Sequence, residues 1–143
     1  MEDGIMQRFH MEMESLSENE EFARVVTAVF MSRLDPTVEE IEDVKTAVSE
    51  AVTNAEIHGY GKNPGIIEMD MEIEGSELTV RVRDTGKGIE NVEKALEPLF
   101  TTDRSGERSG MGFSFMEAFM DELEVKSEPG KGTLVIMKKK IGR

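Results

Sequence analysis

The chain has 143 residues, with 17 Lys and Arg against 30 Asp and Glu and a formal net charge of −13, long enough for one domain with its own core and acidic enough to repel nucleic-acid backbones and anionic membranes. It contains no Cys and two His, which excludes a disulfide framework and a zinc site of several Cys or His ligands, so that any metal is expected to be an oxygen-bound ion such as Mg²⁺. No apolar run approaches the ~20 residues of a membrane span and no basic-then-apolar leader opens the chain, so a soluble cytoplasmic protein with one domain over residues 1–143 is expected.

In chain order, residues 5–14 alternate, with Phe9, Met11 and Met13 on one side and Arg8, His10, Glu12 and Glu14 on the other, which predicts a first strand with His10 exposed. Ser17 with Glu20 reads as a capping box, and Phe22, Val25, Val26, Val29, Phe30 and Leu34 repeat at helical spacing, predicting a helix with those residues buried and Arg24 alone on its exposed side. Asp35-Pro36 ends it.

Thr37 and Glu40 form a second capping box, and the long helix it opens is expected to stop at Gly59. Ile41, Val44, Ala47, Val48, Ala51, Val52 and Ala55 fall on its core-facing arc, with His58 continuing onto that face. Glu50 and Asn54, four residues apart, share one edge of the arc. There they offer either a proton acceptor beside a neutral metal ligand or simply the polar border of an amphipathic helix.

Next, Ile67, Met69, Met71 and Ile73 alternate with acidic residues, Gly75-Ser76 turns the chain, and Leu78, Val80 and Val82 alternate with Thr79, Arg81 and Arg83. This is an antiparallel hairpin in which the Arg face can pair with the Glu face. Continued by one step, the inward period reaches Asp84, directly before Gly86 and Gly88. A carboxylate aimed inward needs a hydrogen-bond donor, which is either a ligand or its own turn backbone.

Asn91 to Leu96 is a short helical piece. The polar loop Thr101 to Ser109 then carries Arg104 and Arg108 and leads through Gly110-Met111-Gly112 into a helix with Phe113, Met116, Phe119 and Met120 inward. Glycines at a helix start leave N–H groups open to an anion, and loop arginines can close over it. Leu123 to Lys126 and Thr133 to Met137 form a closing hairpin, followed by Lys138, Lys139 and Lys140 as a solvated basic tail. The whole predicts an α+β two-layer sandwich, helices on one face of a mixed, largely antiparallel sheet.

Four motifs, namely Glu50 with Asn54, Asp84-Thr85-Gly86-Lys87-Gly88, Gly110-Met111-Gly112-Phe113 and Thr133, together resemble the ATP-binding fold (Bergerat type) shared by gyrase B, the Hsp90 chaperones, histidine kinases and MutL. The stretches SENEEFARVV, LDPTVEEIEDVKTAVSEAVTNAEIHGY, PLFTT and ERSGMGFSFMEAFMD look like the bacterial anti-sigma F factor family of sporulation serine kinases, over nearly the whole chain. The resemblance implies a kinase that sequesters a sporulation sigma factor and uses Mg²⁺ and ATP to phosphorylate a serine of an anti-anti-sigma protein. It assigns Asn54 to Mg²⁺, Glu50 to the attacking hydroxyl as base, and Asp84 to the adenine amino group, with Thr133 beside it and Gly86 and Gly88 admitting the base. Thr101, Ser109, Gly110, Met111 and Gly112 belong to the ATP lid and the helix start after it, and Arg108 matches a cation on the γ-phosphate. Where the family carries Lys-Pro, this chain has Asp103-Arg104. Glu20 and Arg24 match residues that contact both protein partners, on a surface expected to lie away from the chemical groups, and a homodimer through the N-terminal strand region is implied. A nucleotide-gated binding module without phosphate transfer and the related anti-sigma B kinase are the alternatives. A third reading, the catalytic domain of a sensor histidine kinase, is not expected, since the sequence shows no phosphoacceptor helix or membrane segment before this domain.

Overall fold

In a computed structural model of the chain, residues 6–97 and 112–142 are described. Five strands, β1 (Met6–Glu14), β2 (Ile66–Glu74), β3 (Glu77–Asp84), β4 (Glu122–Glu128) and β5 (Gly132–Lys140), form one sheet in the order β1-β2-β3-β5-β4. Every pairing is antiparallel. The alternation read from the sequence sets the two faces: Ile67, Met69, Met71, Ile73, Leu78, Val80, Val82, Val135 and Met137 are buried on the helix side. The opposite face carries mostly polar and charged side chains, with Arg81 held by Glu72 at 3.2 Å.

Helices α1 (Asn19–Met31), α2 (Val38–Asn54), α3 (Val92–Ala95) and α4 (Gly112–Phe119) complete the fold, α1 and α4 packing against α2. At the start of α2 the predicted capping box is present: Thr37 Oγ1 accepts from Glu40 N at 3.0 Å and the Glu40 carboxylate accepts from Thr37 N at 2.9 Å. The second Glu40 oxygen accepts from Gly142 N at 3.0 Å, tying the entry of α2 to the residues after β5. Val44, Ala47, Val48, Ala51, Val52 and Ala55 are buried as expected.

Four expectations are corrected. Helix α1 begins at Asn19 without a side-chain cap. Ser17 meets Glu20 only through backbone, and the Glu20 carboxylate is committed elsewhere. The buried face of α1 is Ala23, Thr27, Phe30 and Met31, while Phe22, Val25 and Val29 are 54%, 52% and 62% exposed. Small residues face the core here because a neighbouring helix can come close over Ala and Thr, and the Thr27 hydroxyl satisfies itself on Ala23 O at 2.8 Å. Third, Gly59 does not stop the long helix. α2 widens into a π-helical turn, Ala55–Tyr60, and ends at Gly61 with φ +62°. The inserted turn buries Tyr60 and leaves His58 half-buried. Fourth, Lys138 to Lys140 are no tail: they pair with Thr79, Leu78 and Glu77 of β3, and Lys139 Nζ donates to Phe119 O at the end of α4.

Candidate functional site

Two clusters lie along the C-terminal half of α2. In the first, Glu50 and Asn54 present their side chains to the start of α4. A Cβ on Gly112 would lie 3.1 Å from Asn54 Nδ2 and 3.3 Å from both Asn54 Oδ1 and Glu50 Oε1. Bare glycine backbone thus faces an amide and a carboxylate, and any larger residue would crowd them. That cradle suits a hard cation shared between one neutral oxygen ligand and a phosphate chain, since Mg²⁺ is usually bound by one or two protein oxygens plus phosphates.

In the second cluster the inward period of β3 places Asp84 at 6% exposure, as the alternation predicts. Its Oδ1 accepts from Gly86 N at 2.8 Å, so the Asp caps its own turn. Burial raises its pKa from the ordinary 3.8, opposed by hydrogen bonds from the Gly86 and Thr133 backbones. Gly59 of the π turn packs flat against this carboxylate, where a Cβ would lie 2.8 Å from Asp84 Cγ. Gly86 packs in turn on Gly59, whose carbonyl accepts from Lys87 N at 2.9 Å. Gly88, with φ +77°, abuts the Glu128 carbonyl. Thr133 stands directly opposite Asp84 in the β3–β5 register.

Two residues not singled out from the sequence hold this second cluster. Ser127 Oγ accepts from Ile89 N at 2.7 Å, donates to Gly132 O at 3.0 Å and meets Thr133 Oγ1 at 2.7 Å, fixing the threonine hydroxyl. The other is Tyr60, whose hydroxyl meets Thr85 N, Thr85 Oγ1 and Ile66 O. The Glu-Ile-His-Gly-Tyr run read as a helix end because a π turn has no sequence period of its own.

Glu20, expected with Arg24 to lie away from the chemical groups, reaches the long helix at Ser49. One oxygen, Glu20 Oε2, accepts from the Ser49 hydroxyl and forms an ion pair with Arg24, 2.8 Å from its Nε but without hydrogen-bond geometry. Ser49 directly precedes Glu50, so Arg24 is ion-paired rather than alone. Glu56, further along the same helix, has a raised pKa, from desolvation first and the Glu20 charge second. Thr101, Arg108, Ser109, Gly110 and Met111 lie outside the described residues. On the outer sheet face, His10, Glu12 and Glu68 bring ligand atoms within 4.8 Å of one another. Among the described residues no helix is long and apolar enough to cross a membrane.

Residues 13–139 match the histidine kinase-like ATPase domain. The chain is 62% identical over 128 residues to an anti-sigma F factor of Thermoanaerobacter sp. (strain X514), covering 90% of each. It is 63% identical over 124 residues to that of Clostridium acetobutylicum, covering 87% of each. Among solved structures it resembles the RsbU and RsbW domains of a Mycobacterium tuberculosis protein, with TM-score 0.70 and 19% identity over 96% of this chain and 32% of that one. The catalytic domain of the histidine kinase ThkA gives TM-score 0.58 and 20% identity over 93% and 96%. At such identities these two likenesses speak for the fold, an open antiparallel sheet covered by helices. The curated relatives speak for more: the chain belongs to the anti-sigma F factor family, built on a nucleotide-binding domain of the histidine kinase-like ATPase type.

Proposed function

We propose that this protein holds a sporulation sigma factor and uses Mg²⁺ and ATP to phosphorylate a serine of an anti-anti-sigma partner, which competes for the same surface and so releases the sigma factor. The observation that supports the kinase half is the close seating of Gly112 against Glu50 and Asn54, which brings a carboxylate and an amide together at the start of α4. Phosphoryl transfer asks chiefly for positioning and charge neutralisation. Asn54 would hold Mg²⁺, which when bound offsets charge on the phosphates. Glu50 accepts the proton of the partner's serine hydroxyl as its oxygen forms the bond to the γ-phosphorus and the bond to the ADP oxygen breaks. Asp84 accepts from the adenine amino group, with Thr133 alongside and Gly86 and Gly88 lining the base. Thr101, Arg108, Ser109, Gly110 and Met111 bind the phosphates in this reading, on the strength of the family resemblance alone.

Glu20 and Arg24 form the partner contact in this reading. A homodimer through the N-terminal region belongs to it as well, supported by the exposed Phe22, Val25 and Val29 on α1 and by β1 standing at the sheet edge. Purified protein incubated with γ-labelled ATP, Mg²⁺ and candidate anti-anti-sigma proteins should transfer label to a partner serine. Partner capture that depends on ATP but leaves the partner unlabelled would replace the kinase with a nucleotide-gated binder, and labelling only of a stress-response partner would move the chain to the anti-sigma B function.

A further inference from the structure

The hydroxyl of Tyr60 sits where three chain segments meet. It donates to Ile66 O at the start of β2, and it accepts from Thr85 N at 2.9 Å, the backbone donor directly after Asp84. Because its single proton is committed to the Ile66 carbonyl, the Thr85 hydroxyl, 3.2 Å away, donates to it as well. The ring is buried, at 8% exposure, and a Cβ on Gly65 would lie 2.4 Å from its carbons, so the phenol cannot swing aside. The residue before it, Gly59, is the one that lies flat on the Asp84 carboxylate and holds Lys87 through its carbonyl. Two consecutive residues of the π turn therefore grip both sides of the Asp84-Thr85-Gly86 turn, one by close backbone approach and the other by a phenol.

We propose that Tyr60 is a positioning residue that sets base specificity: by pinning Thr85 it fixes the Asp84 carboxylate at the place where an adenine amino group must reach it. This rests on the nucleotide-site reading above. An acceptor held rigidly discriminates an amino group from a carbonyl oxygen at the same ring position, because the carbonyl leaves two acceptors facing each other. Released from Thr85, the carboxylate can turn away from the clash, and discrimination falls faster than stability. Tyr60→Phe keeps the ring and removes the hydroxyl, leaving Thr85 N–H and Ile66 O without their partner.

The test measures ATP and GTP affinity by calorimetry in the full chain and in Tyr60→Phe, with circular dichroism as a check on folding. ATP affinity should fall about tenfold with GTP affinity little changed, and in the transfer reaction the loss should fall on KM for ATP and not on kcat. Loss of fold stability alone would weaken both nucleotides in proportion. As Tyr60 is the single Tyr of a chain without Trp, its own emission reports the site, and saturating ATP should change it in the unmutated protein. A folded Tyr60→Phe with an unaltered ATP-to-GTP ratio overturns the proposal. Should Tyr60→Phe fail to fold, Thr85→Pro, which removes the N–H that the phenol holds, decides by the same ratio: a fall supports the pin and an unchanged ratio overturns it. Failure of the unmutated protein to bind ATP would sink the nucleotide site itself, and Tyr60's role with it.

Discussion

The carboxylate of Glu20 on α1 takes the hydroxyl of Ser49 on α2, one residue before Glu50, with the same oxygen that holds Arg24. A surface proposed to meet protein partners is thus joined by one side chain to the helix proposed to carry the chemistry. Reversing the charge with Arg24→Glu would set two carboxylates together and present a negative charge to an acidic partner residue. Binding of sigma factor and of anti-anti-sigma protein should fall together, by about tenfold or more. ATP affinity should stay near its original value, because Asn54 and Asp84 are untouched. Pull-downs of both partners beside an ATP titration check this, and retained sigma binding with collapsed ATP affinity would remove Glu20 and Arg24 from the partner surface.

Glu50→Ala should slow phosphate transfer by roughly 10²- to 10⁴-fold, the usual contribution of a general base. Since Asn54 and the Asp84 cluster remain, ATP should still bind. Single-turnover transfer rates give the answer, and an undiminished rate means that another group takes the proton.

Asp84→Asn should separate stability from binding. Burial raises the Asp84 pKa, so the folded carboxyl holds its proton more tightly than the unfolded one. The stability this gives is complete below the ordinary value of 3.8 and is lost as pH rises through the raised value, leaving the charged form at a disadvantage at neutral pH. An amide is spared that loss and keeps an oxygen for Gly86 N. The variant should therefore melt no lower than the parent at pH 7 while binding ATP more weakly by about 1.5 to 3 kcal/mol, the worth of one charged hydrogen bond. For the same reason ATP affinity in the parent should decline on acidification before an ordinary Asp would protonate. Calorimetry across pH, with melting curves, tests both parts.

His10 should titrate above its ordinary 6.5, chiefly because Nδ1 meets Asp70 at 2.7 Å and secondarily because Nε2 meets Glu12 at 3.3 Å. Its contribution to stability is then fully present below 6.5 and disappears as pH rises through the elevated value. Asp70→Asn should bring the His10 midpoint down. Proton NMR of the two histidines follows it directly, and a midpoint indifferent to Asp70 would show the contact to be absent in solution.

Much of this was readable from residue spacing. Period-two alternation defined β2 and β3 and carried Asp84 inward, because an unbroken strand leaves a side chain no choice of face. The Thr37 and Glu40 box located the start of α2 because both partners lie within one turn. What escaped depended on distant groups. The face of α1 was misread because the strongest apolar residues, Phe22, Val25 and Val29, are the exposed ones, while Ala23 and Thr27 are buried where only small side chains fit. Likewise the Ser17 box gave way because Glu20 has partners 29 residues further on and one turn along its own helix. Tyr60 and Ser127 gave no signal, since their value lies wholly in partners that the fold supplies.

β5 is the last of the described strands in sequence, yet it lies inside the sheet, between β3 and β4. It supplies Thr133 opposite Asp84, and Gly142 just beyond it closes the first turn of α2 through Glu40. During synthesis, therefore, neither end of α2 has its final surroundings until the ribosome has delivered residue 142. A nascent chain that has not yet reached β5 has the β3 edge open and Asp84 without Thr133 opposite it, so at those β3 positions strand pairing must await it.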